Sequence, residues 1–285
     1  EWLINYSGGF TKRGIIGQMS IYIARIFNSE LRDIILYFQI IIIGVYFTFI
    51  FVFLKKIYIE RIYLMCIFTP IFLLYPVYEI EVLARKEIFI FCIFLSYFFF
   101  ESFLIRNLYK IFLLSFSVLI WEPVIFYFIF FLAIDTIKDK FKMINTKVII
   151  NLSCYIPALV IAFYIAFNPI SDANHKIMAN YLNDNFGESC YMSCAWLQSK
   201  SGLYEQFQGN FDKYSFVVFF RYSLIILFGF GPLIILLINS YLVDQNLFFF
   251  KFFYNLFAPV SLMLSPVIIL FAMGYDWGRW VNISY

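Results

Sequence analysis

The sequence predicts an all-α polytopic transmembrane helix bundle of about 7–8 spanning or half-spanning helices. An interfacial amphipathic helix precedes the bundle, and one long extracytoplasmic loop interrupts it. Three observations carry this prediction. Residues 34–54, 148–167, 222–243 and 252–275 each run without a charged side chain for 20 residues or more, enough at about 1.5 Å per residue to cross a hydrocarbon core of about 30 Å. The chain is 63% hydrophobic and only 14% charged, against about 25% charged in a soluble domain. Finally, the densest basic loops, Lys55-Lys56 to Arg61 and Lys138 to Lys147, are short, as cytoplasmic loops tend to be.

Residues 14–27 come first. Ile15, Ile16, Met19, Tyr22, Ile23, Ile26 and Phe27 share one helical face, while Gln18 and Arg25 fall away from it. This pattern is too polar to span and predicts a helix lying in the interface, within an outer segment 1–33. Spans are expected at 34–54, 62–78 and 88–105, the second and third being short. Residues 107–134 carry Trp121-Glu122-Pro123 at mid-length, and proline disfavours helical geometry in the residue before it. A break there makes two short helices. It also gives the even number of crossings needed to put both basic loops on the same, cytoplasmic side. Further spans are expected at 148–167, 215–239 and 252–274. On this topology the segment 1–33, residues 79–87, Glu122, the loop 168–214 and Asp276-Arg279 share the outer face. The opening Glu1-Trp2 and the stop at Tyr285 read as a single integral membrane domain cut from a longer protein.

Charge in such a chain demands an explanation, because a charged side chain at a helix centre costs about 2.5–3.5 kcal/mol on insertion scales. Four clusters stand out. Ser7-Gly8-Gly9-Phe10-Thr11-Lys12-Arg13-Gly14 offers glycines for close backbone approach and two cations at a helix N-terminus, suited to a phosphate or to anchoring at anionic headgroups. Residues 79–87 pack three carboxylates and two cations into one connection, with Glu81 and Arg85 placed to pair at i, i+4. Glu122 has no charged residue within about ten positions on either side, so it must face a polar cavity or a partner. Desolvation there raises a carboxyl pKa toward that of a general base, and a structural carboxyl bonding a neighbouring helix is the other reading. Asp276-Trp277-Gly278-Arg279-Trp280 combines an ion pair with interfacial tryptophans, fit for membrane anchoring or for holding a sugar phosphate.

Cys66, Cys92 and Cys154 lie in apolar stretches as packing residues, whereas Cys190 and Cys194 sit in the long polar loop and are candidates for a disulfide outside the cytoplasm. With a single histidine, His175, and no usual Cys/His spacing, no metal site is expected. A net charge of +3 without a long basic run gives no basis for a nucleic-acid partner.

The opening Gly-Gly-Phe-Thr-Lys-Arg-Gly, the Arg85-Lys86-Glu87 before an apolar helix, the aromatic-Glu-Pro and the late Asp-Trp-Gly-Arg-Trp resemble bacterial multi-pass glycan-assembly proteins. The chain is similar in this to O-antigen and capsular polysaccharide polymerases, with Trp121 standing where a histidine would precede the glutamate. The resemblance implies a glycosyltransferase of the bacterial inner (cytoplasmic) membrane. It would transfer or polymerise polyprenyl-diphosphate-linked sugars at the outer face, needing no cofactor and working beside other polysaccharide-assembly membrane proteins. It further implies Glu122 or Asp276 as the catalytic carboxylate. Lys12, Arg13, Glu81, Arg85, Lys86, Trp277 and Arg279 would then bind substrate. A transporter or lipid-linked oligosaccharide flippase, and a non-catalytic assembly subunit, are the competing classes. A transporter would distribute its charges across both membrane halves.

Overall fold

In the structure, a computed structural model, residues 1–75, 85–191, 194, 197, 208, 209, 211, 213–241, 247, 250–274 and 276–285 are described. All regular structure among them is helical, with no strand. Four helices are long and apolar enough to cross a membrane: α2 (Leu31–Lys55), α5 (Phe103–Ile120), α7 (Thr146–Phe167) and α9 (Phe216–Asn239). They wear their apolar side chains outward, as Phe167, Phe216 and Phe228 illustrate at 79%, 82% and 74% exposure. That arrangement suits lipid and would be costly in water. Shorter helices among the described residues are α1 (Gly14–Phe27), α3 (Arg61–Ile67), α4 (Glu87–Tyr97), α6 (Phe128–Lys138), α8 (Asp172–Phe186), α10 (Phe257–Ala272) and α11 (Trp277–Ser284).

Several expected boundaries move. Within the stretch expected to span at 62–78, a helix covers Arg61–Ile67 and turns follow over 68–74, while 76–78 lie outside the described residues. That expected at 88–105 ends at Tyr97, and a new helix starts at Phe103. The break at Glu122 is present. Trp121 is extended (φ −158°, ψ 99°) and Glu122–Tyr127 forms a 3-10 turn leading into α6. Glu79 and Glu81 lie outside the described residues. The expected loop 168–214 contains the 15-residue helix α8, opened by the Ser171 side chain accepting from the Asn174 N–H and closed by Gly187 in the left-handed region.

The chain divides into two compact units. One comprises residues 1–51, 84–125 and 153–200. Its centre is the last turns of α5, where Leu114, Val118 and Ile120 are buried against α1 and against the Ala158 and Ala162 face of α7. Small residues there let helices approach closely, which substitutes for the hydrophobic drive that lipid does not supply. Helix α1 follows the same rule. Its buried face is Ile16, Gly17, Ser20, Ile21 and Ala24, while the bulky Met19, Tyr22, Ile26 and Phe27 point outward. A Cβ on Gly17 would sit 2.0 Å from the Ile4 carbonyl oxygen. The apolar stripe read from sequence is therefore the outward face, and the small residues make the contact.

The other unit comprises residues 52–83, 126–152 and 201–285. Here α9 packs on α3 and α11, with Gly229 so close to Ile71 that a Cβ would lie 2.6 Å from its side chain. Side chains tie off the backbone left free by the short helices. Asn282 donates to the Ile71 carbonyl (2.8 Å), Tyr285 to that of Cys66 (2.8 Å), and Thr69 to that of Gly229 (3.2 Å). Unpaired carbonyls would cost several kcal/mol each in hydrocarbon, by order of magnitude.

Candidate functional site

The α-helix ends at Ile120 with Trp121 extended, and Pro123, which has no N–H to continue the ladder, lies in the first turn of the 3-10 segment that begins at Glu122, where the Glu122 carboxylate meets the N-terminus of α1. Arg13 grips it in a two-pronged pair, Nε to Oε2 at 2.8 Å and Nη2 to Oε1 at 2.8 Å. The remaining prong of the guanidinium, Nη1, donates to Glu1 Oε1 at 2.8 Å. Such forks are among the strongest charge-assisted bonds available to a side chain. Lys12 Nζ stands 4.0 Å from Glu122 Oε1. Lys86, fully buried, donates from Nζ to the Arg13 carbonyl at 2.6 Å. Three cations and two carboxylates thus meet in one nest.

The backbone beneath is shaped for this. Arg13 adopts left-handed geometry (φ 62°, ψ 13°), worth about 1–3 kcal/mol of strain in a non-glycine residue, and the side-chain and carbonyl bonds just named hold it there. Gly8 approaches the α8 backbone so closely that a Cβ would lie 1.9 Å from the Asn174 carbonyl oxygen. The paired glycines therefore bring segment 1–13 against α8, where the sequence suggested approach to a ligand.

Electrostatics revise the expectation for Glu122. Burial pulls its carboxyl up, but the charge and hydrogen bonds of Arg13, with the charge of Lys12, outweigh it and leave the pKa below the usual carboxylate value. The group is an ionised anchor rather than a carboxyl poised near neutrality. Burial likewise pulls Arg13 down, and Glu122 and Glu1 together raise it above its ordinary value. Lys86 is the group moved toward neutrality: burial, opposed by Glu1, reinforced by Arg13 and opposed by Glu122, pushes it down to about 7. Glu122 keeps 23% of its side-chain surface exposed, and Lys12 keeps 42%. Lys12 is thus the cation of the nest with room to meet a ligand.

Of the sequence candidates, Lys12, Arg13, Lys86 and Glu122 come together. Arg85, expected to bind substrate, is half-buried, and the arginine that pairs with Glu122 is Arg13. Asp276, Trp277 and Arg279 belong to the second unit. Arg279 Nη1 lies 3.7 Å from Asp276 Oδ2 and its guanidinium sits 5.5 Å above the Trp280 ring. Trp277, expected to stack on a sugar, is buried among Tyr214, Phe219, Tyr222 and Phe271, with ring centroids 5.1–6.1 Å away. Its indole N–H donates to the Phe271 carbonyl at 2.8 Å. Protein rings already surround it, so it anchors α11.

Cys190 and Cys194 form a disulfide, and Cys66, Cys92 and Cys154 are free and buried. A loop this short contributes about 2 kcal/mol in the chain-entropy picture. Close to Cys190, Glu188 takes Arg32 in a two-pronged pair through its Nε and, at 2.9 Å, its Nη2. A cleft of about 450 Å³, lined by Glu1, Trp2, Leu3, Arg32, Glu188 and Tyr191 among others, opens beside them. Glu1 joins this cleft to the nest.

Sequence reasoning passed over Arg106, Lys110 and Asp135, all fully buried. Arg106 donates to the Phe100 and Glu101 carbonyls (3.2 and 2.6 Å), closing the turn between α4 and α5. Lys110 lies 5.2 Å from the centroid of the Tyr155 ring and begins a π-helical turn, Lys110–Leu114. Asp135 accepts from Asn151 Nδ2 at 2.7 Å. The i, i+4 spacing of two cations inside an apolar helix was the available signal for the first two.

These features define a class: an all-helical protein of membrane character that gathers five of its charges, Glu1, Lys12, Arg13, Lys86 and Glu122, into one ion-paired nest. No protein-family model matches the chain, and neither a curated protein nor a solved structure matches it.

Proposed function

We propose that the chain is a multi-pass bacterial inner-membrane protein that transfers or polymerises polyprenyl-diphosphate-linked sugars at the outer face. The observation that carries this reading is the Glu122 nest. An ionised, partly exposed carboxylate lies just past the end of a candidate span, beside a cation with a free flank. In the transfer, the acceptor hydroxyl oxygen forms a bond to the anomeric carbon as the bond from that carbon to the diphosphate oxygen breaks. Lys12 steadies the departing diphosphate, and Glu122 takes the hydroxyl proton. A carboxylate of lowered pKa is a weak base. It suits a loose, oxocarbenium-like transition state in which the proton leaves late. The cleft beside Glu1 offers room for a saccharide. Asp276 and Arg279, paired in the second unit, are the alternative acid–base and diphosphate groups.

The test is chain extension by the full protein reconstituted in vesicles, supplied with polyprenyl-diphosphate-linked repeat units from the producing cells. Glu122→Gln should cut extension by about 10²–10⁴-fold while the protein stays inserted. The exchanged pair Arg13→Glu with Glu122→Arg should stay inactive. Recovery of extension in the exchanged pair would mean that the nest is a structural tie, and the enzymatic reading would fall.

One observation favours a second reading, translocation of a lipid-linked anionic glycan. Arg106 and Lys110 are buried near the start of α5, and Glu122 lies just beyond its end, so charge stands toward both ends of this helix. Vesicles that move a labelled polyprenyl-diphosphate glycan between leaflets without extending it would select that reading.

A further inference from the structure

We propose that reduction of the Cys190–Cys194 disulfide opens a Cys2His site for a soft d10 cation, Zn2+ or Cu+, completed by His175. The three residues are spread over the sequence as one histidine and a cysteine pair 15 and 19 positions later, a spacing with no usual metal signature. The fold brings them together. His175 is held on α8, which Ser171 caps, and its ring is buried at 4% exposure. Its Nε2 lies 3.4 Å from Cys190 Sγ and 3.9 Å from Cys194 Sγ. All three ligand atoms fall within 4.8 Å of one another.

These separations match a metal site. With metal–nitrogen bonds of about 2.0–2.1 Å and metal–sulfur bonds of about 2.3 Å, a tetrahedron has N···S edges of about 3.5 Å and an S···S edge of about 3.8 Å. Both N···S edges stand near that length while the disulfide is intact. Only the S···S edge is closed, by the covalent bond itself. Cys190 is partly exposed and Cys194 buried, so a dithiol reductant attacks at Cys190. The exchange consumes the two thiols of the reductant, which becomes a disulfide, and leaves Cys190 and Cys194 as thiols. Binding of the cation then expels both thiol protons, and His175 gives up its 2.9 Å donation from Nε2 to the Cys194 carbonyl, the imidazole proton passing to Nδ1 so that Nε2 can bind the metal. Two thiolates and one imidazole suit three-coordinate Cu+, or Zn2+ with a water in the fourth position. His175 Nδ1 is buried without a hydrogen-bond partner among the described residues, so within them this ligand lacks the outer bond that strengthens most metal-bound histidines. Moderate affinity follows.

The same residues tie the site to segment 1–13. Cys194 shares a buried cluster with Ile4, Ile170, Met178 and Leu197, and Cys190 packs on its edge. The redox and metal state of the loop therefore bears on the segment that carries Arg13.

The test uses the full chain in nanodiscs, reduced, freed of reductant under anaerobic conditions and titrated with Co2+, followed by competition with Zn2+ and with Cu+. Reduced protein should bind one Co2+ with thiolate-to-cobalt charge-transfer absorption and release of two protons. Disulfide-bonded protein should show neither. Cys190→Ser should abolish the absorption, which separates this site from the three buried cysteines. His175→Gln, which retains a polar contact for the Cys194 carbonyl, should weaken binding by about 10–100-fold, and its disulfide, checked by mass spectrometry, reports that the loop still folds. Absence of the charge-transfer band in the reduced protein, or undiminished binding by His175→Gln, would overturn the proposal. Displacement of Co2+ by Zn2+ alone, or by Cu+ alone, would name the cation.

Discussion

The two outermost charge clusters look alike in sequence and behave differently in the fold. Lys12-Arg13 and Asp276-Arg279 each place an arginine beside aromatic residues near an apolar helix. Arg13 reaches Glu122 across 109 positions and Glu1 across 12, is largely covered, and uses its whole fork. Arg279, its side chain 11% exposed, stands 3.7 Å from Asp276, an aspartate three positions away whose side chain is 48% exposed. A long-range bidentate pair binds separate segments into one object, whereas a local pair with one half-exposed partner adds little beyond its own helix. Charge density in a sequence marks where to look, and separation along the chain decides what the charges hold.

Four experiments would break or sharpen that contrast. The largest effect is expected for Glu122→Ala, which strands Arg13. We expect about 2–4 kcal/mol of lost stability, below the full range for a buried pair because Glu122 is partly exposed, read as a shift in the SDS or thermal unfolding midpoint. A loss no greater than for Asp276→Asn would erase the distinction between the clusters. Next is Gly8→Ala, whose Cβ must fit against the Asn174 carbonyl. It should cost about 1–3 kcal/mol by overpacking, and an unchanged midpoint would show that segment 1–13 is not seated on α8.

The third concerns pH. Lys86 has a folded pKa of about 7 against 10.5 unfolded, so between those values the folded state binds fewer protons. Stability should therefore rise with pH across that window and flatten below it. Lys86→Met should remove the slope, and a slope that survives in this variant would assign it to another group. The smallest effect is expected for Asp276→Asn, under about 1 kcal/mol as for exposed pairs. A larger loss would mean that the second cluster is as integral as the first.

The helical class and the main apolar stretches were legible because long uncharged runs have few other uses. The break before Pro123 was legible because proline cannot continue a helical ladder whatever the surroundings, although the residue that turns extended is Trp121, two positions before it, and Glu122 directly before it is in the 3-10 segment. Helix ends elsewhere were not. Residues 88–105 carry a single charge, Glu101, and the turn after Tyr97 is fixed by Arg106 reaching back to two carbonyls, a tertiary event. The face of α1 was misjudged for a related reason. In a chain bathed by lipid, bulk points outward and small residues make contacts, which reverses the rule for soluble helices. The site was half legible. Glu122 stood out by its isolation, but its partner had to be found in three dimensions, and His175 gave no sequence sign of its approach to the cysteines.

The π-helical turn at Lys110–Leu114 sets the phase of everything after it. An α-helix turns by about 100° per residue, and a π turn accommodates one residue more than the α-helical register would. Helix α5 therefore carries two settings of its faces, one ahead of the turn with Arg106 and Lys110, the other behind it with Val118, Ile120 and the Trp121-Glu122 exit. Wound as a plain α-helix with every residue kept, this stretch would swing Glu122 by about 100° away from Arg13, whereas removing a single residue from Lys110–Leu114 should restore the α-helix and leave the Glu122–Arg13 approach in place. The nest depends on how one surplus residue is absorbed, roughly two turns upstream, as well as on the charges that compose it.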